Sequence, residues 1–248
     1  MLFRHIFLIA TQLVLAACAT PRPDSSRPVW YVPEEVQALY GPVTNEPYFL
    51  PAVDLSVIDP KFWRQEVIYY TSYSPGTLVI DTRERFLYLI GENGKAMRYG
   101  IGVGKEGLEF EGEGIVQRKR QWPSWVPTKA MMDREPERYG HLGKGMPPGF
   151  DNPLGARALY LYKDGKDTLF RIHGSNEAWS IGQAISSGCI RLLNQDIIDL
   201  YDRVPTGARV VVLQNDENAF GISNQQFDFH APLSPNINSD GPFGYGNY

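Results

Sequence analysis

Residues 77–103 read TLVIDTRERFLYLIGENGKAMRYGIGV, and this stretch decides the fold class. Two runs, 77–81 and 86–90, are rich in β-branched, aromatic and other apolar side chains and are separated by polar residues, which is the pattern of two neighbouring strands. The turn Glu92-Asn93-Gly94-Lys95 then leads into a third run, 96–103. The stretch therefore predicts a β-meander.

Further strands are predicted downstream, over 158–162, 168–172 and 208–213, with a turn at 163–166 joining the first two. Apolar residues recur at helical spacing between Asn194 and Arg203. One short helix is expected there, capped by Asn194 and ended before Pro205 and Gly207. The chain is therefore predicted to be mostly β.

Residues 105–155 differ from the strands around them, because they hold many Gly and Pro residues, two tryptophans and the cationic run 118–120. A long irregular excursion inside a compact domain is usually functional. We expect a solvated strand edge at the cationic run, followed by a loop that covers the substrate.

The composition excludes some functions. The 248-residue chain has a formal net charge of −4, and residues 214–248 hold four acidic residues and no Lys or Arg, so the remainder balances at zero. A basic footprint for nucleic acid is absent, and no nucleic-acid partner is expected. The hydrophobic content of 43% supports one sizeable core.

The N-terminus reads as an export signal. Residues 1–17, MLFRHIFLIATQLVLAA, have a cationic start and an apolar run too short to span a membrane. The segment Leu15-Ala16-Ala17-Cys18 matches the bacterial lipobox, in which the signal is cut before a cysteine that is then lipidated. Lipidation of Cys18 is expected, and an ordinary secretory signal with an incidental Cys18 is the alternative.

The remaining chain divides into three predicted parts. Residues 18–74 are read as the lipidated N-terminus and a Pro-rich tether, although the aromatic pairs at 30–31 and 48–49 suggest that part of it packs on the domain. Residues 75–213 form the predicted catalytic domain. Residues 214–248, rich in Asn, Gly, Ser and Pro, are expected to be a disordered tail.

The few cysteine and histidine residues of the chain indicate a thiol nucleophile paired with a histidine base. Lipidation consumes Cys18, so Cys189 is left as a lone thiol. A thiol is a good nucleophile only as the thiolate and needs a base beside it. His173 is the candidate base, at the end of the apolar strand 169–172. The other histidines lie in the signal, the excursion and the tail: His5, His141 and His230.

Each of the two residues, taken alone, is more often structural, Cys189 as a small core residue and His173 as a strand-end residue. Gly188 before Cys189 lets the backbone turn and present N–H groups to an oxyanion. Together with their surroundings they form a family pattern.

The pattern is a His-Gly pair, a Ser-x-Gly-Cys-aliphatic-Arg block, a short helix and a closing strand. It reads here as His173-Gly174, Ser186-Ser187-Gly188-Cys189-Ile190-Arg191 and residues 194–213, with the lead-in 152–159, NPLGARAL, upstream. Over about residues 75–213 the chain resembles the L,D-transpeptidase catalytic domain, also called the YkuD-like domain.

The resemblance implies a mainly β fold, a β-sandwich with one or two short helices and a long substrate-covering loop. It implies that Cys189 attacks the carbonyl between the third and fourth residues of a peptidoglycan tetrapeptide stem. D-Ala leaves, a thioester forms, and an amine resolves it. His173 would act as base and then acid, with the Gly174 carbonyl orienting its ring and the Gly188 and Cys189 N–H groups binding the oxyanion.

The resemblance also bears on three residues that flank Cys189. Arg191 is expected to bind a stem carboxylate, with a structural ion pair as the alternative. The best-known family signature has His where this chain has Ser187, which leaves the contribution of that position to substrate binding open. Ser186 is expected to support the site by hydrogen bonding.

Other enzyme classes fit less well. A papain-like protease has its cysteine before its histidine, and the order here is reversed. A zinc amidase needs His, Asp or Glu ligands at metal spacing, and neither His-x-His nor His-Glu-x-x-His occurs, so no metal and no cofactor are expected. A water-resolved thioester would make an L,D-carboxypeptidase or another murein hydrolase, and a non-catalytic wall-binding lipoprotein is the third class.

The sequence leaves open which molecule supplies the acceptor amine: another stem peptide, an outer-membrane protein or a free D-amino acid. Ala19, not Asp, follows Cys18, which favours sorting to the periplasmic face of the outer membrane. The protein is thus expected to touch a membrane only through its lipid anchor.

Overall fold

The computed structural model describes residues 30–104, 112–185 and 190–213, and over them the prediction of a mainly β chain is confirmed. Its strands are β1 (Gln65–Ile68), β2 (Leu78–Asp81), β3 (Phe86–Ile90), β4 (Lys95–Gly100), β5 (Gly102–Gly104), β6 (Gly112–Gln121), β7 (Arg157–Lys163), β8 (Lys166–Ser175), β9 (Ala184–Ile185), β10 (Ile190–Leu193) and β11 (Arg209–Leu213). Its α-helices are α1 (Glu34–Leu39), α2 (Lys129–Arg134), α3 (Pro136–Tyr139) and α4 (Asn194–Arg203).

The predicted meander is present as β2, β3 and β4, each antiparallel to the next. Asp81 makes the first turn by accepting the backbone N–H groups of Arg83 at 3.0 Å and Glu84 at 2.8 Å. The second turn has positive φ at both Asn93 (56°) and Gly94 (71°), the left-handed conformation that a tight hairpin requires.

The described strands join in one sheet in the order β1-β4-β3-β2-β11-β6-β7-β8-β10-β5-β9. Side chains from both halves of this sheet, such as Leu78 and Tyr99 on one side and Ile172 and Leu192 on the other, share a single buried cluster with Ile197 of α4. The sheet therefore folds over its own core in the manner of a sandwich, and α4 closes the cluster.

Residues 30–74 contain folded structure beyond the tether that the sequence suggested. A second buried cluster takes Tyr40, Ile58 and Trp63 from this stretch, and β1 pairs with β4. Prolines prevent a long helix here but leave short turns that bury apolar side chains. In each of the two aromatic pairs one member is mostly exposed, Tyr31 at 86% and Phe49 at 59%, and the other is mostly covered, Trp30 at 37% and Tyr48 at 39% exposed. The ring centroids of Tyr48 and Trp122 are 4.8 Å apart.

The excursion after residue 104 is also more regular than predicted. Strand β6 occupies 112–121, and its residues 112–115 pair with β11. Among the described strands the cationic run 118–120 pairs with β7 alone, and Arg118 and Arg120 are exposed, so this part of β6 is the solvated strand edge that the sequence predicted. Lys119 donates from Nζ to the carbonyl oxygens of Tyr201 and Val204, both at 2.6 Å, near the end of α4. The cationic run thus has a structural partner.

Helix α4 has the predicted bounds, but Asn194 is its first residue and Leu193 precedes it as the cap position. Among the residues placed in the structure, no helix is long and apolar enough to cross a membrane. The predicted signal, Cys18 and the predicted tail lie outside the described residues.

Candidate active site

His173 lies in the middle of three paired strands. Its register partners are Ala158 on β7 and Arg191 on the parallel strand β10. The sequence placed His173 at a strand end facing a cleft, but β8 continues to Ser175 and the residue is only 4% exposed. The imidazole is thus fixed inside the sheet.

The carbonyl oxygen of Gly174 lies 2.8 Å from Nδ1 of His173. A carbonyl oxygen only accepts hydrogen bonds, so a neutral ring meets this contact with its proton on Nδ1. Nε2 then keeps its lone pair, which is the form that a general base requires.

The environment of His173 favours the neutral ring. Burial lowers its pKa to about 4, and the positive charges of Arg191 and Arg171 act in the same direction. Hydrogen bonding to the backbone at Gly174 and Pro153 opposes them and raises the pKa, by less. At neutral pH the side chain is uncharged.

Arg191 has a protein partner. Its Nη1 donates to Oε2 of Glu177 at 2.5 Å, with side-chain exposures of 13% for Arg191 and 39% for Glu177. This contact is the ion pair that the sequence left as the alternative to carboxylate binding. Glu177 was not predicted, because nothing local in the sequence links the two positions.

A second feature that the sequence did not reveal lies behind Gly174. The buried side chain of Asn194 accepts the backbone N–H of Ala156 through Oδ1 at 2.8 Å. Gly174 in turn donates its N–H to the carbonyl oxygen of Leu154 at 3.1 Å. The first part of the lead-in, residues 152–156, therefore packs against the backbone of the His173-Gly174 pair and forms one side of the site.

Asn152 shapes that lead-in. Its Oδ1 accepts the N–H of Leu154 at 2.9 Å and its Nδ2 donates to the carbonyl oxygen of Pro147, also at 2.9 Å. The side chain is 2% exposed. These bonds hold the loop before β7 in one conformation.

The other predicted site residues, Ser186, Ser187, Gly188, Cys189 and the lipidation residue Cys18, lie outside the described residues. The chain on either side of the first four is placed, as β9 and β10. Within residues 30–104, 112–185 and 190–213, no three His, Cys, Asp or Glu side chains gather in a way that could hold a metal ion.

Comparison with known proteins accounts for this arrangement. The family model for YkuD, described as the L,D-transpeptidase catalytic domain, matches residues 75–212. The chain belongs to this family. The match runs from just before β2 to the penultimate residue of β11 and includes His173, Arg191 and Asn194. The resemblance on which the sequence analysis relied is confirmed.

Curated relatives of the L,D-transpeptidase family carry the same description. The probable L,D-transpeptidase ErfK/SrfK of Salmonella typhimurium is 34% identical over 194 residues, which cover 76% of this chain and 59% of that protein. Its namesake in Escherichia coli is 32% identical over 176 residues, 69% of this chain and 55% of that one. The chain thus spans a little more than half the length of these relatives.

A solved structure from Brucella melitensis, described as a probable carnitine operon oxidoreductase caia, is 52% identical and covers 64% of this chain and 99% of its own. Its TM-score is 0.45.

Proposed function

We propose that the protein is a peptidoglycan L,D-transpeptidase in which Cys189 is the nucleophile and His173 the general base. The observation that carries the proposal is the buried His173 ring, with Nδ1 held by the Gly174 carbonyl oxygen at 2.8 Å. Its strand, β8, is parallel to β10, and Cys189 is the residue that immediately precedes β10 in the chain.

In the proposed first half-reaction, Nε2 of His173 takes the thiol proton of Cys189, and the sulfur attacks the carbonyl carbon of the third stem residue. The bond to the fourth residue then breaks. The imidazolium gives its proton to the departing amine, so D-Ala leaves and a thioester remains on Cys189.

In the second half-reaction an acceptor amine attacks the thioester and gives a proton to His173. The sulfur leaves as thiolate and is protonated again. A ring with a pKa of about 4 is the free base at neutral pH and, once protonated, a strong acid toward the leaving amine. The lowered pKa therefore favours proton donation to the leaving amine, while it makes the ring a weaker base toward the thiol.

The neighbouring residues take supporting roles in this proposal. The backbone N–H groups of Gly188 and Cys189 would stabilise the oxyanion, and Ser186 would support the site by hydrogen bonding. Arg191 would hold a carboxylate of the stem peptide. Because its partner Glu177 is partly exposed, an incoming carboxylate can exchange with it.

We further propose that lipidation of Cys18 anchors the enzyme at the periplasmic face of the outer membrane. Fourteen residues lie between Cys18 and Pro33, the residue before α1. A chain of that length cannot exceed roughly 50 Å even when fully extended. The enzyme would therefore act on murein close to that membrane, with stem peptides or outer-membrane proteins as acceptors.

Membrane fractionation of cells that produce the wild type or Cys18→Ala tests the anchor. The wild type is expected with the outer membrane and the variant in the soluble fraction. Recovery of both in the soluble fraction would contradict the proposal.

Hydrolysis is the second candidate outcome, since water can resolve the same thioester and give an L,D-carboxypeptidase. Purified protein incubated with a tetrapeptide stem, with and without a D-amino acid as acceptor amine, distinguishes the two. Transpeptidation predicts that the D-amino acid replaces the terminal D-Ala in the product. Tripeptide as the sole product would support the hydrolase, and an unchanged substrate would contradict both.

A further inference from the structure

Asn194 is a buried polar side chain at the start of α4 that the proposed mechanism does not use. It is 2% exposed. A side chain at a helix start usually caps the helix, but here the bond that the structure gives its Oδ1 goes to the N–H of Ala156, 38 residues earlier in the chain, at 2.8 Å. Its partner is therefore outside its own helix.

Two glycines show how closely Asn194 approaches the backbone beside His173. A Cβ atom built on Gly174 would lie 2.3 Å from Oδ1 of Asn194, and one built on Gly155 would lie at the same 2.3 Å. The Cβ atom built on Gly155 would also lie 2.6 Å from the carbonyl carbon of Gly174. Only residues without a side chain fit at these two points.

The contacts form a continuous link to the imidazole. Asn194 holds Ala156, and Leu154, two residues earlier in the chain, accepts the N–H of Gly174 at 3.1 Å. The Gly174 carbonyl oxygen in turn lies 2.8 Å from Nδ1 of His173. Every member of this link is backbone or a fully buried side chain. A change at Asn194 is therefore transmitted to the group that orients the ring.

We propose that Asn194 is a positioning residue that fixes the Gly174 carbonyl group and, through it, the tautomer and orientation of the His173 imidazole. The proposal rests on the proposed function for its kinetic consequence, although its effect on His173 exists without any substrate. Asn194 itself touches neither substrate nor the reacting atoms.

The chemistry of the amide explains why asparagine is suited to this place. An aliphatic side chain would leave the Ala156 N–H without its acceptor in a buried site. A carboxylate would accept the same bond but would place a negative charge near His173, which stabilises the imidazolium and raises its pKa. A neutral acceptor keeps the ring both oriented and uncharged.

The test uses the full chain with Asn194→Ala, Asn194→Asp and a control, Gln195→Ala. Gln195 is the next residue of α4, and its Nε2 donates to the carbonyl oxygens of Gly41 at 3.2 Å and Pro51 at 3.0 Å. The control thus loses buried hydrogen bonds of α4 that do not lead to His173.

Two readouts are needed: the ¹⁵N NMR titration of the His173 ring, and the rate of Cys189 acylation by a tetrapeptide stem against pH. Asn194→Ala should populate the Nε2–H tautomer and reduce acylation by on the order of 10²-fold in kcat with KM little changed. Asn194→Asp should retain the Nδ1–H tautomer and raise the pKa of His173. Gln195→Ala should lower thermal stability and leave both readouts at wild-type values.

Unchanged tautomer, His173 titration and acylation in a folded Asn194→Ala protein would overturn the inference. If Asn194→Ala does not fold, Asn194→Asp decides, and an unchanged His173 pKa in it would also overturn the inference. Failure of the proposed function looks different, because the wild type itself would then not be acylated while the NMR readouts would still report on Asn194.

Discussion

At the scale of single residues, the central feature is a histidine kept neutral by burial. A group whose pKa falls on folding binds its proton less well in the folded state than in the unfolded chain. For His173, with a folded pKa of about 4 against an ordinary value of 6.5, the folded protein gains stability as pH rises from about 4 to about 6.5. The contribution is complete above that window and is lost as pH falls through it.

This gives a prediction for His173→Gln. Glutamine does not titrate, so the wild type should lose stability relative to the variant as pH falls from about 6.5 to about 4. At about 1.4 kcal/mol per pKa unit, the relative loss is roughly 3 kcal/mol. Urea unfolding at a series of pH values measures it. Parallel curves for the two proteins would show that His173 titrates normally.

A second residue-scale prediction separates the two roles of Arg191. If Arg191 exchanges Glu177 for a stem carboxylate, Arg191→Lys should raise KM because the bidentate geometry is lost, and Glu177→Gln should lower KM because the competing carboxylate is gone. If the pair is only structural, both changes should reduce stability and leave the kinetics as they were. Steady-state kinetics and thermal melts of the same two variants decide between the roles.

At the scale of elements, the lead-in before β7 and the end of β8 depend on a close backbone approach. Gly155 has a φ of +61°, and a Cβ there would lie 2.3 Å from Asn194 Oδ1. Gly155→Ala should therefore destabilise the protein by roughly 2–4 kcal/mol, from the left-handed backbone and from overpacking together.

The matched control is Gly140→Ala, since a Cβ at Gly140 meets nothing within 4 Å and its φ is −60°. It should change stability by no more than about 0.5 kcal/mol. Denaturant midpoints of both variants provide the measurement. Equal midpoints would contradict the close packing of the lead-in against α4.

Secondary-structure elements with a local sequence pattern could be predicted from the sequence, whereas contacts between distant residues could not. The meander, the Asn93-Gly94 hairpin and α4 were predictable because their patterns are local. Asn194 and Glu177 were not, because their contacts join residues that are distant along the chain and no local pattern records them. The sequence also underestimates the burial of residues 40–69. The apolar residues of this proline-rich stretch are buried, but they follow no helical or strand periodicity that would predict it.

At the scale of the whole molecule, a buried polar cluster joins the N-terminal segment to α4. The hydroxyl of Tyr40 accepts the N–H of Arg64 at 2.6 Å and donates to Asp196 Oδ2 at 3.2 Å. Arg64 lies 3.1 Å from Asp199 and 3.7 Å from Asp196. The segment that the sequence assigned to a tether is therefore bonded to the helix that carries Asn194.

Asp196 gives this junction a pH dependence opposite to that of His173. Burial raises its pKa to about 7, although the charge of Arg64 lowers it in part. The folded state therefore binds a proton that the unfolded chain releases near pH 3.8, and stability falls as pH rises from about 3.8 to about 7. Asp196→Asn should remove that fall, so its stability relative to the wild type should increase with pH over this window.

Because His173 and Asp196 act in opposite directions over nearly the same range, their two contributions to the stability of the wild type should largely cancel there. Unfolding of wild type, His173→Gln and Asp196→Asn across that range distinguishes the contributions. A constant difference between wild type and Asp196→Asn at all pH values would contradict the raised pKa of Asp196.

The central claim, that Cys189 becomes acylated with the help of His173, is tested most directly by the intact mass of the protein after exposure to a tetrapeptide stem. The wild type should gain the mass of the stem less its terminal D-Ala, on a peptide containing Cys189. His173→Gln should gain the same mass more slowly, by roughly 10²- to 10⁴-fold, and Cys189→Ala should gain none. An adduct on Cys189→Ala, or its absence from the wild type, would contradict the claim.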